Sequence, residues 1–227
     1  MTGSGGIAVE RAGARADVVL AIPPVNVLTA DHLGELAAAA RAAAPARLLV
    51  LRGLPRAFCA GVDVADHVPD PARIDRMLAA MRGVLEALIE SEAVTLAAVS
   101  GACLGGGAEI VSACDLVLVA EDARIGEARS AEWILTGRVV SGREAAEAGF
   151  ASRAVPAPRL AQETDDLAAS VLSAAPVALS AARELLRRTR RDALASRLPE
   201  AEQAYRGLAG DADLERAVRN FGERRGR

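Results

Sequence analysis

Two glycine-containing loops decide the fold of this chain: GACLGGGAE at residues 101–109, and, earlier in the chain, FCAGVDV at residues 58–64. Each loop follows a short apolar run, at residues 94–99 and 47–51, that is typical of a buried strand. Glycines let a backbone approach a ligand closely, and the first N–H groups of the helix that follows favour an anion. Glu109 would stand in the first turn of that helix, as a capping acid or as a catalytic base.

The pattern of strand, loop and helix repeats along the first half of the chain and predicts an α/β protein with buried sheets. Strands are expected at residues 7–10, 17–22, 47–51, 94–99 and 116–120, and helices at 29–44, 71–91 and 108–113. After Arg129 the pattern predicts an almost entirely helical region, with helices at residues 131–135, 141–149, 159–174 and 177–190 and one or two more between 200 and 221.

Composition excludes several classes of function. The net charge of −3 and the aromatic content of 2% argue against a nucleic-acid partner. All 27 basic residues are arginine, which excludes lysine Schiff-base chemistry and a P-loop lysine. The two histidines and three cysteines show no zinc-type spacing, so we expect no metal site and read the cysteines as structural thiols. No secretory or membrane-spanning pattern is visible, and we expect a cytoplasmic protein without membrane contact.

Taken singly, each loop is weak evidence, because a glycine triplet is more often a tight turn and a glutamate near a helix start is more often a cap. In this order, and followed by CDL at residues 114–116, the two loops resemble the enoyl-CoA hydratase/isomerase (crotonase) superfamily. Further similarity lies in PPVNV at residues 23–27, AEWILTGR at residues 131–138 and FGERR at residues 221–225. The strings PPVNV and AGVDVADH most resemble cyclohexa-1,5-diene-1-carbonyl-CoA hydratases.

The resemblance implies an oxyanion site for an acyl-CoA thioester. By motif position, the backbone N–H groups of Val62 and Gly106 would polarise the thioester carbonyl, and Glu109 would activate the water that adds to the double bond. Contacts with CoA are implied for one further set: Ala60, Gly61, Asp63, Val64, Val25 and Phe221. The CoA thioester would be the substrate, and no separate cofactor is expected.

The resemblance also implies an architecture. A crotonase-like ββα spiral that carries the acyl-CoA site would occupy residues 1–128, and a helical C-terminal region for trimerisation and for covering CoA would occupy residues 129–227. We therefore expect a homotrimer, or a hexamer formed by two trimers.

The chain departs from the family pattern where a second catalytic acid is expected. A family segment reading like FG.PE...G..P is absent between about Ala123 and Ile125, a gap of roughly twenty residues. We interpret the gap as a mobile active-site segment missing from the recorded chain; the alternative is a true deletion, in which Glu109 acts alone or Glu127 substitutes. The expected activity is that of a hydro-lyase acting on an enoyl-CoA, with a cyclic dienoyl-CoA as the substrate suggested by the closest strings. The alternatives are isomerisation or C–C hydrolysis through the same enolate, and acyl-CoA binding without catalysis.

Overall fold

The computed structural model describes residues 5–43, 45–63, 70–126, 131–208, 211–213 and 216. The strands are β1 (Gly6–Ala12), β2 (Arg15–Ala21), β3 (Val27–Leu28), β4 (Leu48–Arg52), β5 (Ala57–Cys59), β6 (Gly61–Val62), β7 (Val94–Val99), β8 (Ala102–Cys103), β9 (Leu116–Ala120), β10 (Arg124–Gly126), β11 (Val139–Ser141) and β12 (Arg153–Val155). The α-helices are α1 (Ala30–Ala42), α2 (Pro71–Glu90), α3 (Gly106–Ser112), α4 (Ala131–Thr136), α5 (Gly142–Glu147), α6 (Leu160–Ser173) and α7 (Pro176–Gly207).

The main sheet contains six strands in the order β1-β2-β4-β7-β9-β12. Only the β1–β2 pair is antiparallel, and every other neighbouring pair in this sheet is parallel. All six residues of β7 are buried, as are four of the five residues of β4. Strands buried on both faces are typical of parallel sheets covered by helices, so the predicted α/β class is confirmed.

A second sheet repeats the path of the first. Its order is β11-β10-β8-β5, and the β10–β8 and β8–β5 pairs are parallel. Each of β4, β7 and β9 in the main sheet is followed along the chain by a strand of the second sheet, namely β5, β8 and β10. The chain therefore winds as a spiral of two-strand turns, and both glycine-containing loops leave the second sheet at neighbouring strands.

The helices that flank the sheets begin at residues suited to cap them. Thr29 caps α1, accepting a hydrogen bond from the His32 N–H, and Asp70 caps α2 in front of Pro71. The buried residues of α2 include Ile74, Met81 and Leu88, as the apolar spacing predicts.

The region after Arg129 is mostly helical, as predicted, but it also contains two short strands that the sequence did not reveal: β11 pairs with β10, and β12 pairs with β9. Strands of three residues are too short for a strand pattern to show in the sequence. The division into parts 1–128 and 129–227 stays a prediction, with the qualification that the second part completes both sheets.

The last described helix is also longer than predicted. In place of separate helices at 177–190 and beyond Glu200, α7 runs without a break through Pro199. A proline removes one intrahelical hydrogen bond, but tertiary contacts hold the following turn: Arg82 of α2 donates from Nε to Glu202 Oε1 at 2.9 Å. No single helix among the described residues has both the length and the apolar character needed to span a membrane, although α6 with its preceding turn passes that test jointly with α7, across a sharp bend.

Candidate active site

The two glycine-containing loops lie against each other. β5 and β8 are neighbouring parallel strands, and the Leu104 N–H donates to the Cys59 carbonyl at 3.0 Å. A Cβ added to Gly107 would lie 2.6 Å from the same carbonyl oxygen, and one added to Gly101 would lie 2.0 Å from the Arg56 carbonyl oxygen. Glycine is therefore required at both positions by the close approach of backbone to backbone.

This contact brings together Val62 and Gly106, the two residues expected to donate hydrogen bonds to a thioester oxygen. A Cβ on Gly106 would lie 2.6 Å from Val62 Cγ2 and 3.7 Å from the Val62 backbone nitrogen. Gly106 is also the first residue of α3, where a backbone N–H has no acceptor within its own helix. The Gly106 N–H thus lies at the start of α3, and the backbone of Val62 in β6 lies next to Gly106.

Glu109 lies in the first turn of α3, with its side chain exposed. One group from the far end of the chain lies near it. The pKa of the Tyr205 phenol is raised, first by burial of the ring and then by the negative charge of Glu109. The structure thus places Glu109 on the same short helix as Gly106 and brings a tyrosine of α7 to it.

Four of the residues expected to contact CoA lie close together: Val25, Ala60, Gly61 and Asp63. The Ala60 N–H donates to the Val25 carbonyl at 3.0 Å, and the Asp63 N–H donates to the Leu28 carbonyl at 2.8 Å. Gly61, between them, has a φ of +112°, a backbone conformation that favours glycine. Val64, Phe221 and Glu127 lie outside the described residues.

Asn26 supports the site, although the sequence analysis did not single it out. Its side chain is fully buried: Oδ1 accepts from the Ile22 N–H at 2.7 Å, and Nδ2 lies 2.9–3.0 Å from three carbonyl oxygens. Those carbonyls belong to Leu20, Ala57 and Phe58. The carbonyls of Ala57 and Phe58 lie in β5, the strand that begins the loop at residues 58–64. The available signal was an asparagine two residues after a proline pair, a residue type that tolerates its φ of 53°.

The three cysteines are buried free thiols, and the structure supports their interpretation as structural residues. Burial raises the pKa of Cys59 to about 11 and that of Cys114 to about 12, and it raises the pKa of Cys103 as well. A nucleophilic cysteine needs a lowered pKa, so none of these thiols is poised for attack near neutral pH.

The interpretation of the gap as a missing mobile segment is wrong. The 227-residue sequence is continuous through this stretch. The Ala123 N–H donates to the Ala120 carbonyl at 2.9 Å, the Arg124 N–H donates to the Gly101 carbonyl at 2.8 Å, and β10 then pairs with β8. A tight turn therefore connects β9 to β10 where the segment was expected, and the deletion is a property of this chain.

The comparisons with known proteins agree on one family. The model of the family "Enoyl-CoA hydratase/isomerase" matches residues 11–131 and 123–227. The two matches overlap at residues 123–131, as expected if a family segment is absent there. A relative described as "Probable enoyl-CoA hydratase" from Rhizobium meliloti is 29% identical in an alignment 223 positions long, gaps included, that covers 87% of this chain and 86% of the relative.

Solved structures show the same fold. An enoyl-CoA hydratase/isomerase from Mycobacterium paratuberculosis superposes with a TM-score of 0.85 at 22% identity and covers 95% of this chain and 98% of that one. A Thermobifida fusca protein solved in complex with CoA superposes with a TM-score of 0.74 at 23% identity and covers 89% of this chain and 93% of that one. The predicted crotonase-like fold is thereby confirmed.

Proposed function

Because the chain belongs to the enoyl-CoA hydratase/isomerase family, we propose that it adds water to a double bond conjugated to a CoA thioester. One observation carries this proposal: Val62 and Gly106, the two expected N–H donors, lie next to each other, and Glu109 lies in the first turn of the helix that Gly106 begins. The site thus combines two donors for an oxyanion with one carboxylate.

These groups would act on different atoms of the substrate. When water attacks the β-carbon, negative charge moves to the thioester oxygen, and fixed N–H donors stabilise that charge most strongly in the transition state. Each such donor is worth on the order of 3 kcal/mol. Glu109, as a carboxylate, would accept the proton that the attacking water loses.

The CoA portion would lie along the first loop, in contact with Ala60, Gly61, Asp63, Val64 and Val25. Phe221 would cover it from the C-terminal region. The CoA complex of the Thermobifida fusca protein, which has the same fold, supports the binding of CoA by this chain. Since the reaction needs only water and the thioester, the proposal includes no metal and no separate cofactor.

A specific observation also favours a second candidate, isomerisation of a double bond. The chain lacks the segment expected to carry a second acid, and a single carboxylate is enough to move one proton between two carbons of a dienolate. Glu109 would then take a proton from the α-carbon of a 3-enoyl-CoA and return it at the γ-carbon.

The test is turnover of three thioesters by the purified protein: a linear 2-enoyl-CoA, a cyclic dienoyl-CoA and a linear 3-enoyl-CoA. Mass detects hydration, and the ultraviolet absorbance of the conjugated thioester detects isomerisation. Addition of 18 Da to either of the first two substrates (the mass of one water) supports hydration, and the cyclic substrate tests the suggested ring specificity. Conversion of the 3-enoyl-CoA without mass change, and without hydration of the others, assigns isomerisation instead.

Glu109→Gln should lower kcat for the accepted substrate by at least about 100-fold, because a general base typically contributes that much. Glu147→Gln, which removes the same charge from the exposed surface of α5, is the matched control and should leave kcat unchanged. Binding of an acyl-CoA without any turnover would contradict both catalytic assignments and favour a binding protein.

We also propose that the protein assembles as a homotrimer or as two stacked trimers. Large apolar side chains are exposed on α4 and β11: Ile134 at 56%, Leu135 at 83% and Val139 at 41%. A cluster of exposed apolar residues on adjoining elements is typical of a surface that pairs with another chain. Sedimentation analysis tests this assignment, and a monomer at micromolar concentration would contradict it.

A further inference from the structure

The last turns of α7 lie next to the proposed active site. Arg82 of α2 donates to the Glu202 carboxylate of α7 from both Nε and a second guanidinium nitrogen. Arg206 of α7 forms a second ion pair, with its Nε 2.5 Å from Asp75 Oδ1 of α2. Met81, the neighbour of Arg82, lies against the glycine loop at residues 101–109: a Cβ added to Gly106 would lie 2.9 Å from Met81 Cε. Helix α2 thus contacts both the end of α7 and the start of α3.

Tyr205 lies within this end of α7, three residues after Glu202 and therefore on the same side of the helix. Its ring is half-buried, and the charge of Glu109 acts on its phenol. Glu202 and Arg206, which flank Tyr205 on α7, form ion pairs with Arg82 and Asp75 of α2. Among the described residues, the phenol is thus an uncharged proton-bearing group near Glu109.

We propose that Tyr205 is the second proton-carrying catalytic residue of this site, in place of the acid that the deleted segment would have supplied. The proposal rests on the hydratase function proposed above. Hydration requires a base for the water and a proton for the α-carbon, and this chain provides Glu109 for the first. Tyr205, the only tyrosine in the sequence, provides the second.

The protons balance around a single cycle. The water oxygen bonds to the β-carbon while one water proton passes to the Glu109 carboxylate, and the π electrons of the double bond move to the thioester as an enolate. The enolate re-forms its carbonyl as the α-carbon takes the proton of the Tyr205 O–H. The tyrosinate then recovers a proton from the neutral Glu109 carboxyl, so one water is consumed and both side chains return to their starting states.

A raised pKa suits this role. The folded site keeps Tyr205 protonated at neutral pH, because burial and the Glu109 carboxylate both disfavour the phenolate. A phenol is nevertheless a far stronger acid than the α-carbon of a thioester, so transfer of its proton to an enolate is downhill.

The first arm of the test needs no substrate. Because the chain contains one tyrosine, the ultraviolet absorbance change on ionisation reports Tyr205 alone. Glu109→Gln should lower the pKa of Tyr205 by removing a nearby negative charge, whereas Glu147→Gln on α5 should leave it unchanged. If Tyr205 had the same pKa in Glu109→Gln and in the unsubstituted protein, the proposal would be overturned whatever the kinetic results show.

The second arm is kinetic. Tyr205→Phe keeps the ring and removes only the O–H, so kcat for hydration should fall about 100-fold while KM stays within about twofold. Gln203→Ala, at an exposed neighbouring position of α7, is the control and should keep full kcat. If Glu109→Gln is inactive but Tyr205→Phe retains full kcat, the hydratase function stands and Tyr205 is not part of it. If the unsubstituted protein hydrates no enoyl-CoA, the hydratase function itself fails and the role assigned here to Tyr205 fails with it.

Discussion

The two sides of the proposed site are held by different forces. The oxyanion side is formed by two loops whose glycines allow backbone to touch backbone, next to strands that are almost fully buried. The tyrosine side is the end of a helix that is held on α2 by arginine ion pairs, in which Arg82 is 36% exposed and Arg206 is 46% exposed. Partly exposed ion pairs contribute much less than close packing does. The fold therefore fixes the donors rigidly and holds the second proton carrier by contacts that can open.

The largest effect is expected where backbone touches backbone. Gly107→Ala would place a methyl group 2.6 Å from the Cys59 carbonyl oxygen, and neither backbone can move without separating the loops. We expect a loss of more than about 3 kcal/mol in the free energy of unfolding, or no folded protein. The control is Gly34→Ala in α1, where nothing lies within 4 Å of the added methyl and stability should rise by about 0.5–1 kcal/mol. Urea unfolding of both variants measures this contrast, and equal stability would disprove the rigid contact.

The next effect concerns the N-terminal part of α7, where a buried ion pair anchors the helix. Arg183 Nε lies 2.7 Å from Asp115 Oδ2, and Thr95 donates to the same carboxylate oxygen. Asp115→Ala should lower the free energy of unfolding by about 3 kcal/mol, because it leaves the guanidinium of Arg183 buried without its partner. Arg190→Ala removes the 37%-exposed partner of the same carboxylate and should cost less than about 1 kcal/mol. Similar losses in the two variants would show that burial does not set the strength of this anchor.

A smaller effect is expected at Asn26, which ties the first loop to β2. Asn26→Ala removes the donor shared by the carbonyls of Leu20, Ala57 and Phe58, and an unsatisfied buried carbonyl is costly. We expect a loss of about 2 kcal/mol and a fall in kcat larger than that of Arg190→Ala, because β5 carries the loop with Val62. Thermal unfolding and turnover measure the two parts, and a fully active variant would remove Asn26 from the support of the site.

The rigid side was also the predictable side. The buried runs of β4, β7 and β9 are local patterns that predict the α/β class, and the glycine loop before a helix singles out Glu109. Val62 and Gly106 came from the resemblance that the two loops carry, and their roles stay predictions. The tyrosine side was not predictable, because the proximity of Tyr205 to Glu109 depends on how α7 crosses α2. No local pattern shows that α7 would continue through Pro199, or that Arg82 would bind Glu202.

The smallest effect on global stability separates the two sides most clearly. Arg82→Met keeps an apolar stem on α2 but removes the guanidinium that holds Glu202. The buried Glu202 carboxylate keeps Arg206 as a partner at 3.6 Å, and the end of a helix can open while the core stays folded, so the free energy of unfolding should fall by only about 1 kcal/mol. Amide hydrogens of residues 201–207 should nevertheless exchange faster, and kcat should fall with Tyr205 displaced from Glu109.

Added salt should accelerate the same exchange in the unsubstituted protein, because ions screen partly exposed charges, while leaving exchange in β7 unchanged. If exchange at the end of α7 were as slow as in β7 in both cases, the tyrosine side would be as rigid as the oxyanion side, and the distinction between the two would not hold.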